Sequence, residues 1–160
     1  MKEKNAIFTT QAAMIAAIYV ALCMVFAPIS YGEVQIRVAE ALTILPFFTP
    51  AAVPGLFIGC LIANILGGGI VLDVVLGSIA TLIGGVGTYL LRDKSRFLAP
   101  LPPILANALI VPFVLRYGYG VPLPIPLMVG TVGLGEIIGC GILGMILLTA
   151  LSRVPGRIFK

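Results

Sequence analysis

Long apolar segments follow one another along the whole chain, separated by short polar, glycine-rich or proline-rich stretches. A bilayer core of about 30 Å needs roughly 20 residues of α-helix. The pattern predicts six membrane-spanning helices, at about residues 10–29, 35–48, 52–66, 71–91, 101–116 and 125–151. The second and third are short, and Pro46, Pro50 and Pro54 separate them because proline interrupts a helix.

Basic residues test this count independently. They form three groups: Lys2 and Lys4; Arg92, Lys94 and Arg96; and Arg153, Arg157 and Lys160. Positively charged loops stay in the cytoplasm. Six helices place all three groups on one side, whereas merging the second and third helices would put the first group opposite the others. The sequence therefore predicts an all-α integral membrane protein with six transmembrane helices and cytoplasmic N and C termini.

Composition agrees with a membrane protein. Hydrophobic residues make up 60% of the 160 residues and charged residues 10%, and the mean hydropathy is +1.17. A soluble domain could not cover its surface with so little polar material. The first apolar segment is too long for a cleavable signal sequence, so we expect a true span. Pairs of spans are too small to fold separately, which predicts one domain over residues 1–160.

A small set of polar side chains stands out against this background as candidate binding residues. They are Glu33, Arg37, Glu40, Asn64, Asp73, Asn107, Tyr119 and Glu136. The predicted topology places them in the outer half of the bundle or at its outer loops. At about 1.5 Å per residue, Glu40 is expected roughly 8 Å deep, and Asn107 and Glu136 roughly 15 Å deep. An ionisable group inside a membrane costs about 2.5–3.5 kcal/mol, so function is the stronger reading for Glu40 and Glu136.

The charge of this zone indicates a class of ligand. Four acids, counting Glu33 and Asp73 with the two deeper ones, face Arg37 and Arg116 and leave a net charge of −2. Such a site suits a neutral or cationic polar ligand. Carboxylates accept hydrogen bonds from N–H groups and amides both donate and accept, which fits a nitrogen heterocycle carrying an amine.

Structural roles are open for several of these residues. Glu33 and Arg37 could form an i,i+4 ion pair on a solvated loop. Arg116 could anchor the chain at the headgroups, and Asp73 could cap a helix. Tyr119, with other tyrosines of the outer loops, could belong to an aromatic belt instead of covering a ligand ring.

Small residues repeat along the first helix. Ala13, Ala17 and Ala21 recur every four residues, as do Ala12 and Ala16. Such spacing makes a smooth surface that another helix can approach closely, either within the bundle or on a partner.

No catalytic or metal-binding motif is present. The sequence lacks a Walker lysine motif, HExxH, GxSxG and any cysteine–histidine cluster, so neither an enzyme nor an ATP-driven engine is expected. No cofactor is predicted. Cys23, Cys60 and Cys140 lie in apolar segments and are interpreted as small packing residues, without a disulfide framework.

Residues 29–68, "ISYGEVQIRVAEALTILPFFTPAAVPGLFIGCLIANILGG", resemble the signature region of the QueT family, and "LDVVLGSIATLIGG" continues the resemblance. The family consists of S-components of energy-coupling factor (ECF) transporters. The resemblance implies a six-helix protein of a bacterial plasma membrane that binds a queuosine precursor, chiefly 7-aminomethyl-7-deazaguanine. It also implies docking through an alanine-rich first helix onto a transmembrane coupling subunit driven by two ABC-type ATPases.

The resemblance further implies that Glu33 and Arg37 belong to the outer gate and that Glu40 points into the pocket. Which acid reads which ligand group stays open. Two other readings also stay open. One is an S-component for another vitamin or purine-like base. The other is a stand-alone cation-coupled transporter that uses Glu40, Asp73 and Glu136 as a relay.

Overall fold

A computed structural model of the protein describes residues 2–30 and 36–154, and this part is helical without any strand. The elements are α1 (Lys2–Val25), α2 (Ala27–Ser30), a 3₁₀ helix (Val38–Phe47), α3 (Ala52–Leu66), α4 (Val71–Leu91), a 3₁₀ turn (Arg96–Leu98), α5 (Leu101–Phe113), a π-helical segment (Val114–Gly118), α6 (Ile125–Glu136), a second π-helical segment (Ile137–Leu143) and α7 (Gly144–Ser152).

Four helical stretches within the described residues are long and apolar enough to cross a membrane. They are Glu3–Val25, Val71–Leu91, Arg96–Gly118 and Ile125–Ser152. The apolar helices Val38–Phe47 and Ala52–Leu66 are shorter. The all-helical class and the helical character of all six predicted segments are confirmed, while a membrane crossing by the two short helices stays a prediction.

The second predicted segment is a 3₁₀ helix rather than an α-helix. The Glu40 amide donates a hydrogen bond to the Arg37 carbonyl, three residues earlier in the chain. The Thr43 hydroxyl donates to the Glu40 carbonyl at 2.6 Å. Pro46, inside the helix, has no N–H to donate. These local bonds replace the i→i−4 ladder, so the short helix predicted here is present but has 3₁₀ geometry.

This 3₁₀ helix lies at the centre of the bundle. It packs against α1, α3, α4, α7 and the second π-helical segment. Its residues from Ala39 to Pro46 are all buried. The remaining helices pack in sequence around it, α1 on α3, α3 on α4, α4 on α5 and α5 on α6. A polar side chain on the 3₁₀ helix is therefore held inside the bundle.

Helix α1 begins at Lys2, eight residues before the predicted start. Its two small-residue rows face different ways. Ala16 is buried against α3, where a Cβ built on Gly59 would lie 3.1 Å from the Ala16 Cα. Ala13, Ala17 and Ala21 are exposed. Internal packing thus accounts for the row of Ala12 and Ala16 and leaves the row of Ala13, Ala17 and Ala21 on the surface.

Candidate functional site

Glu40 is the centre of a buried polar cluster. Its side chain is 1% exposed and projects from the 3₁₀ helix. The Tyr19 hydroxyl of α1 donates to Glu40 Oε1 at 2.5 Å, and Asn107 Nδ2 of α5 donates to Oε2 at 3.4 Å. Three elements that are distant in sequence therefore meet at one carboxyl group.

Glu136, 5% exposed, brings a second carboxyl to the same place. The Cys140 thiol donates to Glu136 Oε2 at 3.1 Å and lies 4.0 Å from Glu40 Oε2. Glu136 ends α6 and Cys140 lies in the π-helical segment that follows, and π-helical turns often occur at functional sites. Gly139 lets the backbones approach, because an added Cβ would lie 2.9 Å from the Arg37 carbonyl oxygen. We call Tyr19, Glu40, Asn107, Glu136 and Cys140 the two-carboxyl cluster.

The same cluster contains three potential metal ligands. The donor atoms of Glu40, Glu136 and Cys140 lie within 4.8 Å of one another. Two carboxylates and a thiolate could hold a divalent ion such as Zn²⁺. However, the thiol hydrogen bonds already explain this spacing, and the sequence carries no metal-binding motif.

Arg37 is buried beside these acids, with 7% of its side chain exposed. Its Nε donates to the Ser30 carbonyl at 3.4 Å and its Nη1 to Cys60 Sγ at 3.9 Å. Its guanidinium interacts electrostatically with the carboxyl groups of Glu40 and Asp73. The alternative of a solvated loop position is therefore wrong for Arg37.

A second group of polar side chains surrounds Asp73, which is 3% exposed in the first turn of α4. The Tyr119 hydroxyl donates to Asp73 Oδ2 at 2.8 Å and lies 3.4 Å from the Ile70 amide. Burial and the Asp73 carboxylate raise the pKa of Tyr119, so its phenol stays a donor at neutral pH. Ile70, not Asp73, occupies the N-cap position of α4, so the capping alternative is wrong.

Asn64, fully buried on α3, completes this group. Its Nδ2 contacts the Asp73 backbone carbonyl at 3.4 Å and Cys60 Sγ at 3.6 Å. A Cβ built on Gly77 would lie 3.0 Å from Asn64 Nδ2 and 3.1 Å from Asp73 Oδ1. We call Asn64, Asp73, Gly77 and Tyr119 the Asp73 cluster.

The structure brings most of the predicted binding residues into these two clusters. Glu33 lies outside the described residues. Arg116 is exposed, and its Nη1 donates to the Val121 carbonyl at 3.2 Å, which belongs to neither cluster. Tyr119 is 43% exposed yet bonded to Asp73, so an aromatic-belt role alone does not describe it.

Sequence reasoning missed Tyr19 and Cys140. The interpretation of Cys140 as only a packing residue is incomplete, because its thiol bonds to Glu136. Their spacing from other residues on the same helix could have identified both. Cys140 follows Glu136 by four residues, which places the two on one helix face. Tyr19 follows the buried Ala16 by three residues on the inward face of α1.

The exposed alanine row borders an apolar groove between α1 and α3. The groove has a volume of about 530 Å³. Its lining residues are Ala13, Ala16, Ala17, Val20, Ala21, Ile58 and Ile62. A smooth groove of this kind can receive an apolar helix.

Comparison with known proteins identifies the family of this chain. The family model described as QueT transporter matches residues 9–153. The chain is 38% identical over 85 residues to the protein named "Queuosine precursor transporter QueT" of Lactococcus lactis subsp. cremoris (strain MG1363). That alignment covers 52% of this chain and 50% of the relative. No solved structure matches the chain. Since the family model covers nearly the whole helical bundle, the chain belongs to the QueT transporter family, a family of transporters and not of enzymes.

Proposed function

We propose that this chain is the substrate-binding S-component of an ECF transporter and takes up a queuosine precursor of the 7-aminomethyl-7-deazaguanine class. The observation that carries the proposal is the two-carboxyl cluster. It is buried, built from α1, the 3₁₀ helix, α5 and α6, and lies in a chain related to a protein named as a queuosine precursor transporter.

The chemistry of the cluster suits the ring of such a ligand. A guanine-like edge offers adjacent N–H donors and a carbonyl acceptor. A carboxylate can accept two parallel N–H bonds, and the Asn107 amide both donates and accepts. Glu40 and Glu136 supply the acceptors, and the bundle excludes the water that would compete for them.

The proposed topology has six spans with both termini in the cytoplasm, in a bacterial plasma membrane. The site then opens to the outside, and Glu33 and Arg37 stand at its outer gate. The groove along Ala13, Ala17 and Ala21 receives the transmembrane coupling subunit, which two ABC-type ATPases drive. Its exposure and its lack of polar lining support this assignment.

Ala17→Leu is expected to leave ligand binding intact and to lower assembly with the coupling subunit by about tenfold, because overfilling a close interface costs about 1–3 kcal/mol. Ala17 lies in the groove, whereas Tyr19 of the same helix faces Glu40. Co-purification of the coupling subunit measures assembly, and Ala17→Ser, which stays small, is the control. Wild-type assembly of the leucine variant would show that the groove has another occupant.

The main alternative is a stand-alone cation-coupled transporter with a relay of Glu40, Asp73 and Glu136. The hydrogen bonds favour the S-component, because Asp73 bonds to Tyr119 while the other two acids share Cys140. Liposome uptake separates the two. The S-component requires the coupling subunit, the ATPases and ATP for uptake of the labelled base. Uptake by this chain alone under an ion gradient would support the alternative.

A further inference from the structure

Asn64 carries an unsatisfied acceptor in the interior of the bundle. Its side chain is fully buried, and among the described residues its Oδ1 has no hydrogen-bond donor. The amide cannot be turned round without loss, because its Nδ2 faces two acceptors, the Asp73 carbonyl and Cys60 Sγ. Burying a polar atom without a hydrogen-bond partner costs free energy, so a ligand that donates a hydrogen bond to Oδ1 would stabilise the site.

A second acceptor lies next to it. A Cβ built on Gly77 would lie 3.1 Å from Asp73 Oδ1 and 3.0 Å from Asn64 Nδ2, so the carboxyl group and the amide lie close together next to this glycine. Asp73 Oδ2 already accepts from Tyr119. Asp73 Oδ1 and Asn64 Oδ1 are thus one charged and one neutral acceptor in the same neighbourhood, a pair that suits a donor with several N–H bonds.

We propose that Asn64 and Asp73, which meet beside Gly77, form the subsite that binds the exocyclic ammonium of the ligand, while the two-carboxyl cluster binds the ring. This inference rests on the proposed function. It assigns the ring of the ligand to the two-carboxyl cluster and the ammonium to the Asp73 cluster.

Two observations favour this assignment over its reverse. In the two-carboxyl cluster Tyr19, Asn107 and Cys140 each donate to a carboxyl oxygen, which keeps a second lone pair for the ring, whereas Asn64 Oδ1 has no donor among the described residues. The Asp73 cluster includes the half-exposed Tyr119, so an ammonium there keeps some contact with water and loses less hydration than in the two-carboxyl cluster.

Gly77→Ala tests the subsite by adding a methyl group next to both of its residues. The added methyl would press on Asn64 and Asp73, and we expect the affinity for the 7-aminomethyl base to fall about tenfold. Affinity for the neutral 7-cyano analogue should change less than about twofold, because a nitrile presents no ammonium. Calorimetry of the purified full chain with both ligands gives the ratio of the two affinities, which a general loss of folding would not change.

Two further variants complete the experiment. Gly85→Ala adds the same methyl to the same helix, where it meets Pro46, Val53 and Leu56 at 3.7–4.0 Å, and should leave both affinities unchanged. Asp73→Asn keeps the shape, removes the charge and should weaken only the 7-aminomethyl base. If Gly77→Ala and Asp73→Asn keep the wild-type ratio, the subsite assignment is overturned while the proposed function stands. If wild-type protein binds neither ligand, the proposed function fails, and the subsite with it.

Discussion

Glu40→Gln is expected to weaken binding of the 7-aminomethyl base by about 10- to 150-fold. The substitution removes a charge-assisted hydrogen bond to the ring, which is worth about 1.5–3 kcal/mol. It also places an NH₂ group against Tyr19 or Asn107, both of which donate to the native carboxyl. One native contact then becomes donor against donor, so the loss should lie towards the upper end of this range.

Titration calorimetry of the purified chain measures this effect, and Glu3→Gln is the control. Glu3 carries the same chemical change at an exposed position in the first turn of α1. Its variant should bind like the wild type. A Glu40→Gln variant with wild-type affinity would remove Glu40 from the ligand site and leave its cluster with a structural role.

Glu136→Gln is expected to cost a similar factor, about 10- to 150-fold, and equally for the 7-aminomethyl base and the neutral 7-cyano analogue. The two losses of affinity should be equal because, in our proposal, the two-carboxyl cluster binds the ring, which both ligands share. Gln retains the volume of Glu and can still accept from Cys140, so the loss reports the charge more than the packing.

The losses of affinity for the two ligands also distinguish the other possible outcomes of the Glu136→Gln experiment. A larger loss for the 7-aminomethyl base would place the ammonium at Glu136 and contradict the subsite at Asp73. Unchanged binding of both ligands would exclude Glu136 from the site and leave Glu40 and Asp73 as the acidic candidates.

The sequence predicted the long regular elements well, because apolar length and helix-breaking residues determine them locally. The third and fourth helices, expected at 52–66 and 71–91, are observed at Ala52–Leu66 and Val71–Leu91. The glycines at 67–69 separate them. By contrast, the 3₁₀ geometry of Val38–Phe47 rests on local bonds such as that from the Thr43 hydroxyl to the Glu40 carbonyl, and apolar length does not distinguish it from a short α-helix.

The binding residues were predictable to a similar degree. Glu40, Asn107 and Glu136 stood out because polar groups in apolar helices are costly, and the structure brings them together. Their partners Tyr19 and Cys140 are ordinary residues for apolar helices, and only the packing of the helices identifies them. The separation of Asp73 from the two deeper acids likewise depends on packing, because position along the chain does not show which acids share a cluster.

The central claim is that the chain alone binds a deazaguanine precursor, and native mass spectrometry of the purified protein, followed by calorimetry, tests it most directly. We expect one bound molecule per chain with the mass of a deazaguanine base. We also expect binding of the 7-aminomethyl base in the nanomolar range without metal, coupling subunit or ATPase. A purified chain that carries no such ligand and gives no heat with the base at micromolar protein concentration would contradict the account.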